Sequence, residues 1–549
     1  MKQFFSIIFI ILFNPNFTGQ NLHLKITSSN SSEQKVIDSI YKERIFKNYL
    51  SLSSELTKTT SVLKKIGFID LTHSTPTQKN DSTYSVLLNL GKRYTYVHLY
   101  IKPHKTLLNQ NKDTLKIKYS QFEHEITQLL KIIETKGYSL SQIKATDFKT
   151  KSNQLYSNLH ISKEIPRKIN NINIKNYPNF PKNHLTILRK TFTKKTFNTE
   201  TFANITKEIN QYPFCKTTKP AEILFTKDST TIYYFLEKQK SNTFDGYIGF
   251  NNTNNQFKIN GYLDLKLTNL LNSGEKFNVY WKNDENKQKT FESNIELPYL
   301  FKSKLALKGN LNIYRQDSLF QRTKTEIELG YYLNYNHRLY LGYQETESSS
   351  FQKNTSLLLS DFTNHFYTLS YLYTKKNSYD LLYPNKTQVL FKMGYGTRTD
   401  DIQKQKQTLL NLLIEHHFKI NNQHALNMKN QNFNLISDHY LTNELFRFGG
   451  FNSIRGFREN SLQANYLSTL QTEYSYTINT GFTIHTVADF AHFKDSNQTQ
   501  SNQIYSLGLG LYFLSKKSLI NLLYAIPKNN QQDFNLKNGL FQIKTKFLL

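Results

Sequence analysis

The sequence predicts an α+β arm of repeated β-α-α-β-β units followed by a 16-stranded antiparallel transmembrane β-barrel. Three observations carry that expectation. The chain opens on a short apolar run that reads as an export signal. From Asp245 onward, apolar and polar residues alternate with period two in segment after segment. A glycine-rich aromatic loop, FGGFNSIRGFREN at 448–460, sits late in that alternating region and holds one committed arginine.

The first segment, MKQFFSIIFIILFNPNFTGQ, has one lysine, an apolar run from Phe4 to Phe13 and a small residue at Gly19. Such a run is too short to span a bilayer as a helix and fits a secretory signal over 1–20, removed near Gly19 or Gln20. No later stretch offers 18 consecutive apolar residues and mean hydropathy is −0.57, so no transmembrane helix is expected. Cys215 is the single cysteine, which rules out an internal disulfide framework. The 40 Phe and 36 Tyr suit strands and membrane-interface girdles. A net charge of +29 fits a basic lumen or periplasmic face. With no basic stripe on one helix face, no nucleic-acid partner is expected.

The arm occupies 21–240 and reads as three units, at 21–103, 104–166 and 167–240. In the first, LHLKIT is a strand, 33–48 a helix, and 52–66 a second helix with Leu52, Leu56, Leu63 and Ile66 on one face. Gly67 ends it as a C′ residue. Residues 83–90 and 94–101 then read as a hairpin across Gly91-Lys92-Arg93. The second unit places Phe122, Ile126, Leu129 and Ile133 at helical spacing and ends in Gly137-Tyr138, echoing Gly67-Phe68. The third has an extended start after Pro166, a helix over 199–210, and strands near 220–226 and 230–237. Serial units of this kind imply a jointed arm.

The barrel is expected over 241–549. Phe257, Ile259, Gly261, Leu263, Leu265 and Leu267 alternate with Lys258, Asn260, Tyr262, Asp264 and Lys266. Thr325, Ile327, Leu329, Tyr331 and Leu333 alternate with Glu326, Glu328, Tyr332 and Asn334. A face of Lys, Asp and Glu cannot line a dry sandwich core, because unpaired buried charge is costly. It fits strands with one face in lipid and one on a wet lumen, and lipid forces such strands to close. Sixteen segments qualify: 243–250, 257–268, 275–283, 288–298, 303–314, 322–334, 337–346, 365–375, 387–396, 406–419, 423–434, 462–477, 480–491, 503–513, 517–526 and 539–549. Because the arm precedes the first strand, parity puts the loop between strands 11 and 12 on the extracellular side.

That loop carries Arg455. Gly449, Gly450 and Gly456 let the backbone turn tightly, while Phe451, Ile454 and Phe457 give it an apolar body. Glu473 lies on the next predicted strand and Asp489 on the one after, so the guanidinium has two carboxylates to clamp.

Taken together, the signal, the serial units, the barrel and the IRGF loop resemble the BamA/TamA superfamily of outer-membrane assembly proteins, with the arm units similar to POTRA domains. Residues 454–457 match the family's (V/I)RGF motif on extracellular loop six: Ile454, Arg455, Gly456 and Phe457. LQTEYSY around Glu473 resembles its acidic strand-12 segment, and VADFA at 487–491 its FxDxG, with Asp489 as the aspartate. Ala491 replaces the usual glycine and Val487 the usual aromatic. FDGYIGF, 244–250, resembles a common first barrel strand. The three units favour a TamA-like member. The resemblance implies a bacterial outer-membrane location with the arm in the periplasm, and partners that are outer-membrane lipid, unfolded outer-membrane or secreted protein clients, and an inner-membrane-anchored bridging protein.

A closing strand that ends at the last residue makes the junction of 243–250 with 539–549 a seam. Gly246 and Gly249 weaken the first of these strands next to Phe250; Phe541, Ile543 and Phe547 alternate along the second. An incompletely paired seam is a template for β-augmentation by an incoming strand. A two-partner secretion transporter, which shares the loop motif, is the alternative. Neither G-x-S-x-G nor H-E-x-x-H occurs, and the adjacent His416 and His417 face opposite ways on a strand. No enzyme activity, metal or cofactor is expected.

Overall fold

The computed structural model describes residues 21–549 except 163, 254–255, 284–287, 352–357, 378–379, 381, 497–500, 516, 531 and 549; for 247–253, 256–260, 501 and 548 only the backbone is described. The expected signal segment and Leu549 therefore lie outside the described residues, as do the side chains of Gly249 and Phe250. The chain divides into two compact units, one running to Lys168 and including Thr196–Glu200, the other Ile169–Lys195 with Thr201–Leu549.

The first unit contains two sheets. Leu22–Thr27 lies parallel to Thr83–Asn89, with Ile45–Phe46 on its other edge and Thr72–His73 beyond. Helix α1, Ser31–Ile40, is capped by Asn30, and α2, Tyr49–Lys65, by Asn48, each side chain accepting a backbone N–H of the first turn at 3.0 and 2.8 Å. Ile37, Leu52, Leu56 and Leu63 pack on Leu24, Ile26, Val86 and Leu88 to form the core. Helix α1 stops at Ile40, well short of 48, because Tyr41 turns extended and its hydroxyl donates to the Leu24 carbonyl at 2.7 Å.

Helix α2 ends in a Schellman turn, with Phe68 N–H donating to Leu63 O at 3.2 Å and Gly67 to Lys64 O at 3.1 Å. Helix α3, Phe122–Thr135, closes the same way through Tyr138 and Gly137. The chain then bonds back onto each glycine carbonyl, from Tyr94 N at 2.9 Å and from Arg167 N at 2.8 Å. A Cβ on Gly67 would sit 2.1 Å from the Tyr94 carbonyl oxygen, so this joint requires glycine.

The hairpin expected over 83–90 and 94–101 does not form. Gly91-Lys92-Arg93 is a linker, and Tyr96–Tyr100 joins the second sheet, in the order Thr114–Lys118, Tyr96–Tyr100, Gln154–Ile161, Ile143–Lys151. Leu99 packs there with Leu129, Ile133 and Leu159. The boundary expected at 103 therefore falls inside the second sheet. That sheet carries one α-helix where two were expected, because Pro103 lies in a 3₁₀ turn, Lys102–His104, in place of the first.

In the second unit, strands Asn171–Lys175, Thr230–Lys238 and Cys215–Phe225 form a sheet with helix α4, Lys182–Phe192, and with all but the first two residues of α5, Thr199–Ile209. Helix α4 was not anticipated from the sequence. The barrel follows: β1 Thr243–Thr253, β2 Gln256–Thr268, β3 Lys276–Asn283, β4 Gln288–Leu297, β5 Leu305–Gln316, β6 Phe320–Tyr332, β7 His337–Ser350 and β8 Phe362–Lys376. It continues with β9 Asn385–Asp400, β10 Lys404–Lys419, β11 His424–Ile436, β12 Tyr466–Asn479, β13 Phe482–Lys494, β14 Ser501–Leu514, β15 Ser518–Lys528 and β16 Leu540–Leu548. All sixteen close in sequence order.

Its polarity is inverted relative to a water-soluble fold. On β6, Glu326 and Glu328 are 4% and 1% exposed, while the alternating Ile327 and Leu329 are 60% and 54% exposed. The lumenal charges pair: Glu326 with Lys392 and Glu328 with Lys308. Apolar out and paired charge in is the pattern of a lipid-embedded barrel.

The sheet unit holding α4 packs on the arm-side turns of the barrel. His184 of α4 is fully buried, edge-on to Tyr212, Phe214 and Tyr299 at ring-centroid distances of 5.1, 5.1 and 4.7 Å. Gly274, at φ +81°, abuts it so closely that a Cβ would lie 2.0 Å from its ring. Neither ring nitrogen has a hydrogen-bond partner. Burial, with Lys276 nearby, pushes the imidazole down to about 3. The unfolded chain therefore binds this proton more readily than the folded one below about pH 6.5. Stability contributed here is intact above that pH and falls as pH drops toward 3, by about 1.4 kcal/mol per unit. Protection of α4 from proteolysis, compared at pH 7.5 and 5, should fall in the parent and change less in His184→Phe.

Candidate functional site

The connection between β11 and β12, residues 437–465, turns into the lumen. A two-stranded ribbon, Phe446–Phe448 with Leu462–Ala464, forms its stem. At the tip, Gly449 and Gly450 have φ of +104° and +95°, and both lie against the returning limb of the loop, at Arg458 and Glu459. A Cβ on Gly449 would approach Arg458 O to 2.5 Å. Gly456, at φ +84°, faces Ser506 and the Ala525 carbonyl with no room for a side chain. Ile454 is fully buried among Phe448, Leu467, Phe493 and Ile504, with Phe457 packed beside that cluster.

This scaffold aims Arg455. Its Nε and Nη2 donate to the two Asp489 oxygens at 2.9 and 2.5 Å, a bidentate fork, and its backbone N–H adds a third bond to the same carboxylate at 2.9 Å. Nη1 donates to Glu473 at 2.6 Å and Nη2 to Thr472 O at 3.0 Å. All three side chains are buried. Alternation brings Glu473 on β12 and Asp489 on β13 to the lumenal face. Val487 packs with Leu523, Ala525 and the loop's Phe451, and Ala491 joins the cluster around Ile454. Both departures from the usual pattern thus sit beside the ion cluster without displacing it.

Several residues at this site escaped the sequence. The second oxygen of Glu473 accepts from Tyr383 at 2.6 Å and Tyr512 at 2.7 Å, and the Tyr512 ring stacks on His485 at 4.2 Å. His485 stands four residues before Asp489, so period two alone could have placed it in the lumen. Tyr383 lies in a turn and gave no signal. The descending limb of the loop has its own anchor: Arg398 pairs with Glu444 and Asp400 and donates to His439 O at 3.1 Å. A cavity of about 300 Å³ opens against Arg455, Lys429 and Lys544, and one of about 560 Å³ against Lys308, Lys324 and Glu326. No cluster of His, Cys, Asp and Glu fit to hold a metal occurs among the described residues.

At the seam, β1 pairs with β2 along all eleven of its residues but with β16 only at Thr243↔Leu548 and Phe244↔Phe547. β16 pairs with β15 from Leu540 to Phe547. Among the described residues, the facing edges of β1 beyond Phe244 and of β16 before Phe547 therefore lack ladder partners. Phe541, Ile543 and Phe547 point outward and are 62%, 57% and 41% exposed. Gly246 packs flat on β2, where a Cβ would meet Tyr262 O at 2.5 Å.

A closed antiparallel barrel of sixteen strands with apolar exterior, ionic lumen and in-tucked loop is a bacterial outer-membrane protein. The Omp85 superfamily domain matches residues 269–545, more than half of the 549, and the chain belongs to that superfamily. Its fold is similar to CdiB from Acinetobacter baumannii, at 12% identity and TM-score 0.53, covering 90% of this chain and 97% of that one. CdiB from Escherichia coli matches at 13% identity and TM-score 0.51, covering 91% and 96%. BamA from Haemophilus ducreyi lacking POTRA domains 1-3 matches at 12% identity and TM-score 0.48, covering 83% and 99%. No curated protein matches the sequence.

Proposed function

We propose that this protein is an outer-membrane assembly or translocation factor that admits client strands by β-augmentation at the seam between β1 and β16. One observation carries the reading: an eleven-residue strand meets its closing partner at two positions. Unpaired strand edges facing lipid are costly, and an incoming strand satisfies them. The clients are unfolded outer-membrane or secreted proteins. The periplasmic arm, with POTRA-like units over 21–103, 104–166 and 167–240 adjusted to the sheet boundaries above, offers its own sheet edges to them. The clamp of Arg455 with Glu473 and Asp489 buttresses the wall on the β16 side. Three arm units favour a TamA-like role, for which an inner-membrane-anchored bridging protein is the expected partner, and no catalytic step is required.

The test is a cysteine pair at Phe244 and Phe547, which are register partners. The native Cys215 is buried and does not compete. Oxidation should abolish client assembly and reduction should restore it. Unimpaired assembly with the seam locked overturns this mechanism. It would favour the second reading, a two-partner secretion transporter that passes its partner through the lumen. The similarity in fold to CdiB over nearly the whole chain supports keeping that reading in the test.

A further inference from the structure

The loop tip touches both sides of the seam, but very unequally. Toward the C-terminal wall it is held by five strands beyond the Glu473 contact on β12. Asp489 of β13 takes Arg455, Ser506 of β14 and Ala525 of β15 face Gly456, and Val487 and Leu523 pack on Phe451. Lys544 of β16 donates to Asn452 Oδ1 at 3.1 Å and lies 5.2 Å from the Phe451 ring centre, and Lys429 of β11 donates to Asn452 O at 2.7 Å.

Toward the N-terminal wall the tip extends Glu459. Its carboxylate accepts from Tyr280 OH at 3.1 Å and from Lys282 Nζ, both on β3. Its backbone is fixed by Gly450, where a Cβ would lie 2.9 to 3.1 Å from the Glu459 Cα, Cβ and Cγ. The double glycine thus aims this carboxylate as well as the arginine. Lys544 stands on one edge strand of the seam and Tyr280 and Lys282 two strands beyond the other edge, so the tip bridges the junction from the lumen.

We propose that Glu459 is a positioning residue that tethers the first-strand wall to the loop, and that the seam opens by its release from Tyr280 and Lys282. This rests on the reading of the seam as the client entry. The tip then travels with the C-terminal wall, to which most of its contacts belong, and the β1–β3 wall swings away. With two ladder pairs holding the seam, one charge-assisted contact is a large share of what keeps it shut.

Amide hydrogen exchange of the full-length protein in lipid vesicles, without client, tests the tether. Glu459→Gln and Lys282→Met should each speed exchange of β1 and β16 amides roughly tenfold, about 1.4 kcal/mol. The double variant should add nothing further, because both substitutions remove one contact. β6 to β9, and the Arg455 segment, should keep parental exchange. Unchanged seam exchange, additive effects, or acceleration that spreads to Arg455 and the far wall each overturns the tether. Because no client is present, a failure here is separable from failure of the locked-seam experiment, which reads assembly alone.

Discussion

Arg455→Ala is expected to destabilise the folded barrel by about 3–5 kcal/mol, the usual result of removing one partner from a buried ion cluster. Asp489 and Glu473, both buried, would be left facing each other without the cation that holds them. Tyr383 and Tyr512 still satisfy one oxygen of Glu473, so the larger penalty falls on Asp489, which loses the fork and is held by the loop backbone alone. Arg455→Lys should recover part of the loss, since an ammonium restores charge but cannot span both Asp489 oxygens. The denaturant midpoint of the purified protein, and protease access to residues 449–460, report the effect. A midpoint unchanged from the parent with the loop still protected would refute the ion cluster as the loop's anchor.

Arg398→Ala should cost a similar amount by a different route. Arg398 is 1% exposed and pairs with Asp400 on its own strand and Glu444 on the loop's descending limb. Without it, Glu444 keeps only Gln407 and the Leu441 N–H, at 2.9 and 2.8 Å. A stranded carboxylate is worse than a missing pair, so Glu444→Gln added to Arg398→Ala should be more stable than Arg398→Ala alone. Thermal unfolding of the three variants gives the ordering. Were the double variant the least stable, the account of a stranded charge would be wrong. Limited proteolysis separates the two anchors: this one frees 437–446 first and the other frees the tip.

How much of this could be read from the chain follows from the range over which each feature is decided. All sixteen strands were legible because lipid imposes alternation within each segment, with Glu326 and Ile327 sorted to opposite faces by their immediate neighbours. Glu473 and Asp489 could be named as candidate partners of Arg455 because they lie on the two strands that follow its loop. Tyr383 and Glu459 could not, since their partners meet them only once the cylinder has closed, and Arg398 could not because Glu444 reaches it only when the loop folds inward. Lys282, for instance, is 177 residues from Glu459. In the arm, Gly67 and Gly137 advertised two helix ends. Gly91-Lys92-Arg93 misled because a glycine turn looks alike whether the next strand pairs back or starts a new sheet. Helix α4 has a buried face, His184, Ile187, Leu188 and Phe192 after Pro181, whose period is masked by the surrounding Lys- and Thr-rich sequence.

The inside-out polarity of the barrel has a consequence for how the chain reaches its destination. The strands break their greasy residues into short runs with Lys, Asn, Glu or Thr, so no stretch of nascent polypeptide accumulates the twenty consecutive nonpolar side chains that would arrest it in the first bilayer it crosses. The polypeptide can therefore leave the cell interior as a water-compatible thread. It becomes a membrane resident only when neighbouring strands meet and sort their two faces.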